Sequence, residues 1–513
     1  MKIENWSFAK LDQISSKITD GSHNPPPKME IGLPMLSATN ILNGEIIFDK
    51  IRLIDPLKFE GEYKRANVEP NDVLLTIVGT IGRSTVVPLN IEKFTLQRSV
   101  ALIKPLGVNP KYLSFTLRSP NIQKIFDANS KGTAQKGIYL GTLKKIEIPF
   151  PPLPEQRAIV ARIEELLSEL DHSIANLKSA QAKLEIYRQA VLKKAFEGGF
   201  TEQWRKSQVN LISQEDLHTS IMKGRSSFLE RQVLEWESDF SLWKVNGEKG
   251  DRPKKPRPLT VPDPPSPDHE VRKWDLPRSW VWTQLGTICF VTKLAGFEYT
   301  DYVKYDTEGD LPVLKAENVG LSGFRKTEFS KVKTGSVKML TRSQLFGGEL
   351  LIVFVGAGTG NVAMVPLNQK YFLGPNIGMA RPYLKLNSRY IELFFQSAKG
   401  KNLMMAAVKA VAQPSLSMAT IRQAPIALPS LEEQTQIVQE IESRLSVADK
   451  LADTIQFNLL KSESLRQSIL KQAFEGKLLT EAELEACRRE VDWEPAEKLL
   501  ERIKSEKTKA KKS

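Results

Sequence analysis

Polar side chains on short glycine-containing loops are the residues of this chain best suited to recognising another molecule. They form three groups, each with members in both halves of the sequence: Arg83 and Asn361; Gln97, Arg98 and Asn376; and Lys131, Gln135, Lys136 and Gln413. Arginine and lysine bind guanine or phosphate, whereas asparagine and glutamine match the edge of adenine. Any one of them could be an ordinary solvated loop residue. As a set, the loops are better candidates for contacts with another molecule than the strands between them.

Other patterns could suggest catalysis, but each lacks a part that its chemistry requires. Residues 354–360 (Phe-Val-Gly-Ala-Gly-Thr-Gly) resemble a glycine-rich nucleotide loop, yet residues 361–366 have the pattern of a strand and not of the helix that such a loop opens. Residues 24–27 (Asn-Pro-Pro-Pro) lack the aromatic residue that stacks on a flipped base in amino-methyltransferases. The four histidines are scattered without ligand spacing. We therefore predict a hairpin around residues 354–366, no catalytic residues and no metal site.

The charge balance favours an anionic partner. The 513-residue chain has a formal net charge of +13, and nucleic acid is the commonest partner of such basic proteins. No apolar run approaches the roughly 18 residues of a membrane span, so we expect none. The two cysteines, Cys289 and Cys487, fit a reducing cytosol and exclude a disulfide framework.

The sequence repeats itself at an offset of 278 residues: Glu155-Gln156 returns as Glu433-Gln434, and the Ala-Phe-Glu-Gly of residues 195–198 returns at residues 473–476. Each half begins with a β-like region rich in turn residues, continues through a proline-marked boundary and ends in a long helical pattern. The repeat predicts two copies of one structural unit.

The helical patterns cover residues 155–197 and 431–475, and each predicts a helix about 60 Å long. Apolar residues at alternating spacings of three and four form one stripe on each helix. A polar helix with a single apolar stripe needs a partner, and we expect the two helices to pair with each other, although each could instead pack on its own domain. The residues expected to pair are Ile163, Leu170, Ile174, Leu177, Leu184, Val191, Ile441, Leu445, Ile455 and Ile469.

In combination, these motifs resemble the specificity subunits of type I restriction-modification systems. Residues 151–157 (Pro-Pro-Leu-Pro-Glu-Gln-Arg) are similar to the start of that family's first conserved helix, and residues 430–434 to the start of its second. Residues 132–136 (Gly-Thr-Ala-Gln-Lys) are similar to a loop at the end of the family's target-recognition domains, whereas residues 411–414 keep chiefly the glutamine.

The resemblance implies an α+β fold. Two target-recognition domains of mixed α/β character would be related by the internal repeat and separated by a pair of long antiparallel coiled-coil helices. The implied segments are a first recognition domain (1–150), a central conserved helix (151–200), a linker with a proline-rich stretch (201–275), a second recognition domain (276–428), a C-terminal conserved helix (429–478) and a basic C-terminal tail (479–513).

The resemblance also implies a function without catalysis. The chain would recognise an asymmetric bipartite site on double-stranded DNA, and the helix length would fix the number of base pairs between the two half-sites. It would recruit methyltransferase and restriction subunits in the cytoplasm. It would hold no cofactor, while the complex would use S-adenosylmethionine, and ATP with Mg²⁺ for restriction. Two alternatives stay open at this point: a self-contained DNA methyltransferase or nuclease, and a coiled-coil scaffold that does not bind DNA.

Overall fold

A computed structural model describes residues 5–42, 44–131, 136–209, 211–248, 252–256, 258, 261–262, 274–406 and 415–510. The chain forms two compact units: unit 1 comprises residues 1–180 and 454–513, and unit 2 comprises residues 181–453. The unit boundaries fall inside the two long helical patterns, so each unit contains part of both.

The first half of the chain contains eleven strands and seven α-helices in its described residues. The strands are β1 (Ser7–Lys10), β2 (Ser15–Asp20), β3 (Leu33–Leu36), β4 (Ile41–Leu42), β5 (Glu45–Ile46), β6 (Arg52–Ile54), β7 (Val73–Thr76), β8 (Ser84–Val86), β9 (Thr95–Leu96), β10 (Val100–Pro105) and β11 (Glu147–Phe150). The helices are α1 (Pro56–Ala66), α2 (Pro110–Leu117), α3 (Pro120–Asn129), α4 (Leu140–Leu143), α5 (Leu153–Phe196), α6 (Glu202–Ser207) and α7 (Gln214–Val245).

The second half contains twelve strands and eight α-helices in its described residues. The strands are β12 (Val281–Gln284), β13 (Cys289–Lys293), β14 (Leu311–Leu314), β15 (Val319–Gly320), β16 (Gly323–Phe324), β17 (Lys331–Val332), β18 (Gln344–Leu345), β19 (Leu350–Val353), β20 (Val362–Met364), β21 (Tyr371–Leu373), β22 (Ile377–Pro382) and β23 (Pro425–Leu428). The helices are α8 (Leu285–Ile288), α9 (Gly296–Tyr302), α10 (Ser388–Gln396), α11 (Ala398–Met405), α12 (Met418–Gln423), α13 (Leu431–Phe474), α14 (Glu481–Arg488) and α15 (Ala496–Ala510). Among the helices of the described segments, none combines the length and hydropathy that a bilayer span requires.

Unit 1 is built on an antiparallel four-stranded sheet with the order β2-β10-β7-β8. Alternate residues of β7 enter two different hydrophobic clusters, Val73 and Leu75 on one face and Leu74 on the other, because side chains alternate along a strand. A three-stranded sheet, β6-β3-β9, and the two-stranded pairs β1-β11 and β4-β5 are the other sheets among the described residues of this unit. Burial on both faces explains why β7 is apolar without alternation.

Unit 2 repeats this arrangement with the order β13-β22-β19-β20. A second sheet, β17-β14-β21-β18, and the two-stranded pairs β12-β23 and β15-β16 correspond to the smaller sheets of unit 1. Strands β19 and β20 pair antiparallel on either side of the glycine-rich residues 354–361. The hairpin predicted for this segment is therefore confirmed, and the segment does not open a helix as a nucleotide loop would.

Helices α5 and α13 each span 44 residues and pair within both units. In unit 1, Ile163 near the start of α5 shares a hydrophobic cluster with Phe474 at the end of α13. In unit 2, Val191 near the end of α5 shares a cluster with Ile441 near the start of α13. The beginning of each helix thus lies beside the end of the other, so the pairing is antiparallel.

Two ion pairs at repeat-equivalent positions join the helices. Asp171 and Arg466 pair in unit 1, and Arg188 and Asp449 pair in unit 2. Among the predicted pairing residues, the buried ones are Ile163, Val191, Ile441 and Ile455, and the partly buried ones are Leu170, Ile174, Leu177, Leu184, Leu445 and Ile469. The stripe read from the sequence is therefore the covered side of each helix.

The glutamine of the Glu-Gln motif fastens each long helix to its own domain. In unit 1, the Gln156 side chain accepts a hydrogen bond from the backbone N–H of Asn109 at 2.8 Å and donates one to the Pro151 carbonyl at 2.8 Å. In unit 2, Gln434 makes the corresponding bonds at 3.0 Å and 2.9 Å. Because a buried amide needs both its donor and its acceptor satisfied, the motif sets the position where each helix begins.

The glutamate of the Glu-Gln motif is buried in both units. In unit 1, Glu155 accepts a hydrogen bond from Trp6 Nε1 at 2.7 Å, and a longer one from Trp493. Burial raises the pKa of the Glu155 carboxyl, and the two indole N–H groups lower it in part. In unit 2, Glu433 accepts hydrogen bonds from Thr201 and Arg205.

Two segments differ from their interpretation as linker and tail. Residues 201–275 contain α7, whose Leu217 and Ile221 are buried in the core of unit 2, and Trp274 packs against the same core. Residues 201–275 therefore belong to unit 2 and are not a linker between two domains. Residues 479–513 contain α14 and α15, and the buried side chains of α15 belong to the core of unit 1. Lysines on its exposed side give the segment its basic composition.

Candidate nucleic-acid interface

One end of the main sheet gathers the candidate residues of unit 1. Strands β2 and β7 end there, and β8 and β10 begin there, because each strand is antiparallel to its neighbours. We call the loop residues described at this end, 21–23, 77–83, 97–99, 131 and 136–137, the first recognition edge. Residues 132–135, and with them the candidate Gln135, lie outside the described residues.

Arg83 lies at the base of the loop between β7 and β8. Its backbone N–H donates to Thr76 Oγ1 at 2.9 Å, and its guanidinium Nη1 lies 3.4 Å from the Ile41 carbonyl oxygen. The preceding Gly82 has φ of +90°, which favours glycine. A Cβ there would also stand 2.3 Å from the amide of Gln123. The backbone at Arg83 is thus fixed, and its side chain is half-buried.

Gln97 and Arg98 form the turn between β9 and β10. The Gln97 N–H donates to the Leu36 carbonyl at 2.8 Å, and the Arg98 N–H donates to the Ser22 carbonyl at 2.9 Å. The Arg98 side chain is exposed and makes no hydrogen bond or ion pair within the described ranges. An exposed guanidinium on a backbone held at both sides is well placed to bind a base edge or a phosphate.

The loop bearing Lys131 and Lys136 joins the same edge. Lys131 and Gly137 pair through two backbone hydrogen bonds of 2.9 Å, and the Gly79 N–H donates to the Lys136 carbonyl at 3.1 Å. Both lysines are exposed. The structure therefore brings together all four cationic candidates, namely Arg83, Arg98, Lys131 and Lys136.

The corresponding end of the main sheet in unit 2 is the second recognition edge, formed by residues 293–296, 354–361, 374–376 and 415–416. Asn376, exposed and with φ of +65°, lies in the turn before β22. Its carbonyl oxygen accepts from the N–H of Phe354 at 3.1 Å. Gln413 lies outside the described residues.

Asn361 sits differently from the other candidates. Its Oδ1 accepts a hydrogen bond from Lys401 Nζ at 2.8 Å, and the residue lines a cleft of about 620 Å³ within unit 2. Burial lowers the pKa of Lys401. An asparagine binds adenine through two hydrogen bonds, one from its amide NH₂ and one to its amide oxygen. Asn361 could do so only after its oxygen releases the hydrogen bond from Lys401.

Sequence patterns missed two residues of the second recognition edge. Lys293, at the end of β13, holds its Nζ 5.0 Å from the ring centroid of Phe354, which follows β19. The pair presents a cation beside an aromatic face. No spacing in the sequence links residues 61 positions apart, and only the sheet order brings them together.

The described residues contain no group of three or more histidine, cysteine, aspartate or glutamate side chains placed to hold a metal ion. The two recognition edges differ in chemistry: the first is mainly cationic, and the second has asparagine at the positions equivalent to Arg83 and Arg98. The fold and these edges define a class: a nucleic-acid recognition protein with two related domains on paired helices.

Comparison with known proteins identifies the family. The model of the type I restriction modification DNA specificity domain matches residues 3–180 and again residues 277–456. The chain belongs to this family of specificity subunits, whose role in a type I system is DNA recognition.

Individual relatives support the family assignment. The EcoKI specificity subunit of Escherichia coli strain K12 is 25% identical over 525 aligned positions, covering 98% of this chain and 96% of that protein. The EcoBI specificity subunit of Escherichia coli is 32% identical over 225 residues, which are 43% of this chain and about half (47%) of that protein.

Two solved structures share the fold. The crystal structure of the HsdS subunit from Thermoanaerobacter tengcongensis has a TM-score of 0.50 at 17% identity, covering 92% of this chain and 97% of that one. A chain from a study of complex assembly and conformational transition of the type I R-M system has a TM-score of 0.62 at 17% identity, covering 93% of this chain and 99% of that one.

Proposed function

We propose that this chain directs a type I restriction-modification complex to an asymmetric bipartite site on double-stranded DNA. The observation that carries the proposal is that both units present the same end of the same sheet, with different side chains at repeat-equivalent positions. Equivalent geometry with different chemistry suits two half-sites of different sequence.

The side chains suggest the bases of each half-site. Arg98 of the first edge suits guanine, and Asn376 at the equivalent position of the second edge suits adenine. Lys131 and Lys136 suit phosphates beside the bases, since lysine offers a mobile point charge. The proposal therefore assigns guanine contacts to unit 1 and adenine contacts to unit 2.

Methyltransferase subunits are the proposed partners of the paired helices. Lys183 and Glu185 of α5 recur as Lys461 and Glu463 of α13, and all four are exposed. They make no ion pair in the described part of the chain. Buried residues recur at equivalent positions of the two helices because the same packing recurs. Packing does not require exposed residues to recur in this way. Repeated exposed charges fit a protein partner that binds each unit through the same contacts.

The docking proposal can be tested by charge reversal. We expect the double variant Lys183→Glu with Lys461→Glu to lose co-purification with the methyltransferase subunit while it still binds DNA. Lys178→Glu is the matched control, because Lys178 is exposed on the same helix but its repeat position holds Gln456. Equal retention of the partner by both variants would remove the lysines from the docking surface.

Cofactors belong to the partners in this proposal. The methyltransferase subunits would bind S-adenosylmethionine, and the restriction subunits would use ATP and Mg²⁺. This chain would bind DNA and protein, without a cofactor of its own. Two buried thiols, Cys289 and Cys487, support a location in the cytoplasm.

The experiment that tests the function is co-expression with a methyltransferase subunit encoded beside this chain, followed by genome-wide mapping of methylated adenine. We expect one motif with two unlike half-sites separated by a fixed gap. A single continuous motif, or a palindromic one, would refute the bipartite asymmetric site. Absence of methylation despite a stable complex would count against the DNA-reading role of the edges.

A further inference from the structure

The distal half of α7, residues 229–245, carries a row of three aromatic side chains. Trp236 and Phe240 are stacked with ring centroids 5.3 Å apart, and Phe240 and Trp243 are stacked with centroids 5.7 Å apart. Spacings of four and three residues keep the rings on one face of the helix. The proximal half of α7 is anchored in the core of unit 2 through Leu217 and Ile221, so the row is held at a fixed place on that unit.

A basic, proline-containing segment covers this aromatic row. Trp236 Nε1 donates a 3.0 Å hydrogen bond to the carbonyl oxygen of Pro253. The guanidinium of Arg252 lies 5.2 Å from the ring centroid of Phe240, and Lys255 Nζ lies 5.4 Å from that of Trp236. The contacts are therefore of two kinds, one indole hydrogen bond and two cation–π interactions.

The segment has the chemistry that such a surface binds. Pro253 and Pro256 are three residues apart, and polyproline II has three residues per turn, so an extended chain places both on one side. Aromatic grooves recognise segments of this kind. The helix adds charge complementarity, since acidic residues outnumber basic ones in its distal half: Glu230, Glu235, Glu237 and Asp239 against Arg231 and Lys244.

We infer that the row formed by Trp236, Phe240 and Trp243 is a binding site for basic, proline-containing extended segments, and that residues 252–256 occupy it in cis. Only seven residues separate the end of α7 at Val245 from Pro253. Such a short tether gives an effective concentration in the millimolar range, so a separate peptide at micromolar concentration competes poorly. The occupied site holds residues 252–256 against α7.

A peptide-binding experiment on the full chain tests the site. The probe is a fluorescent peptide with the sequence of residues 252–258, and the cis segment is weakened by Arg252→Ala with Lys255→Ala, which removes both cation–π contacts. We expect this opened variant to bind the probe at least ~tenfold more tightly than the wild type. Adding Trp236→Ala should abolish that binding, and a probe with serine in place of proline should not bind. Equal binding by the wild type and the opened variant, including none by either, would overturn the inference.

Limited trypsin digestion gives a second readout. Lys254–Lys255 is the one bond within residues 252–258 that follows a basic residue and does not precede proline, so trypsin can cut the segment there. We expect Trp236→Ala to raise the cleavage rate ~tenfold, because cleavage follows the population of the released segment. The control Leu234→Ala removes a side chain that is 63% exposed on the opposite face and should leave the rate unchanged. Equal rates for both variants would also overturn the inference. Neither result depends on DNA binding, so the proposed function is tested separately.

Discussion

Replacing Arg98 by alanine separates DNA recognition from stability. Its side chain is exposed and makes no hydrogen bond or ion pair in the described part of the chain. Arg98→Ala should therefore change the free energy of unfolding by less than about 0.5 kcal/mol. A guanine contact of about 1–3 kcal/mol corresponds to a ~5-fold to ~150-fold loss of affinity.

The assay is competition binding by the methyltransferase complex, using duplexes that vary one base at a time. We expect Arg98→Ala to weaken binding and to relax one position of one half-site. Lys145→Ala is the matched control: Lys145 is exposed, and its neighbours bond to residues 11 and 12, which precede β2 at the end of the sheet away from the edge.

Two results would refute the guanine assignment. If Arg98→Ala weakens all duplexes alike and lowers the salt dependence by about 0.9 in slope, Arg98 contacts a phosphate and not a base. If affinity is the same as for the Lys145→Ala control, Arg98 takes no part in binding.

Three further predictions concern the scaffold. Tyr390→Phe removes a buried hydrogen bond of 2.6 Å to the Ala427 carbonyl and should lower the free energy of unfolding by about 1–2 kcal/mol in denaturant titrations. Ile441→Ala should cost about 2–5 kcal/mol because Ile441 is fully buried between helix and domain, whereas the exposed Val447→Ala should cost under about 0.5 kcal/mol. Glu155→Gln should change the pH dependence of stability: burial raises the Glu155 pKa in the folded state, so its contribution is fully present below about pH 4 and is lost as pH rises through the raised pKa. The wild type should therefore weaken relative to Glu155→Gln between acidic and neutral pH in parallel urea titrations, and a constant difference would contradict this.

Much of the fold could be predicted because repetition and periodicity can be read from the sequence without knowing any contact. The repeat at an offset of 278 residues appears when the two halves are compared. The apolar stripe of α5 and the strand pattern after the glycines at 356–360 depend on neighbouring residues. The hairpin could be predicted because a nucleotide loop must be followed by a helix, and residues 361–366 have the pattern of a strand.

The parts that could not be predicted depend on long-range packing. Helix α15 buries Ala496, Leu499 and Ile503, but its lysine-rich sequence looks like a solvated tail until the core it covers is known. Helix α7 likewise buries Leu217 and Ile221 in a core that its own sequence does not reveal. The prolines at 253–267 give the whole segment the composition of a linker. Short amphipathic helices gain most of their stability from tertiary contacts.

The candidate site was predicted in outline and not in detail. The sequence predicts that the candidate recognition residues lie on loops. The structure gathers Arg83, Arg98, Lys131 and Lys136 at one edge of the sheet. The bond from Lys401 to Asn361 and the pairing of Lys293 with Phe354 required the sheet order. Which of these residues contact bases stays a prediction.

Exchange of one recognition domain tests the central claim most directly. Residues 276–428 would be replaced by a second copy of residues 1–150, since both domains fasten to their helices through the same glutamine bonds. Methylated adenines would then be mapped in cells that express the chimera with the methyltransferase subunit. If each domain reads its own half-site, the motif becomes symmetric, with two inverted copies of the half-site read by unit 1. A motif identical to that of the wild-type chain would contradict the account.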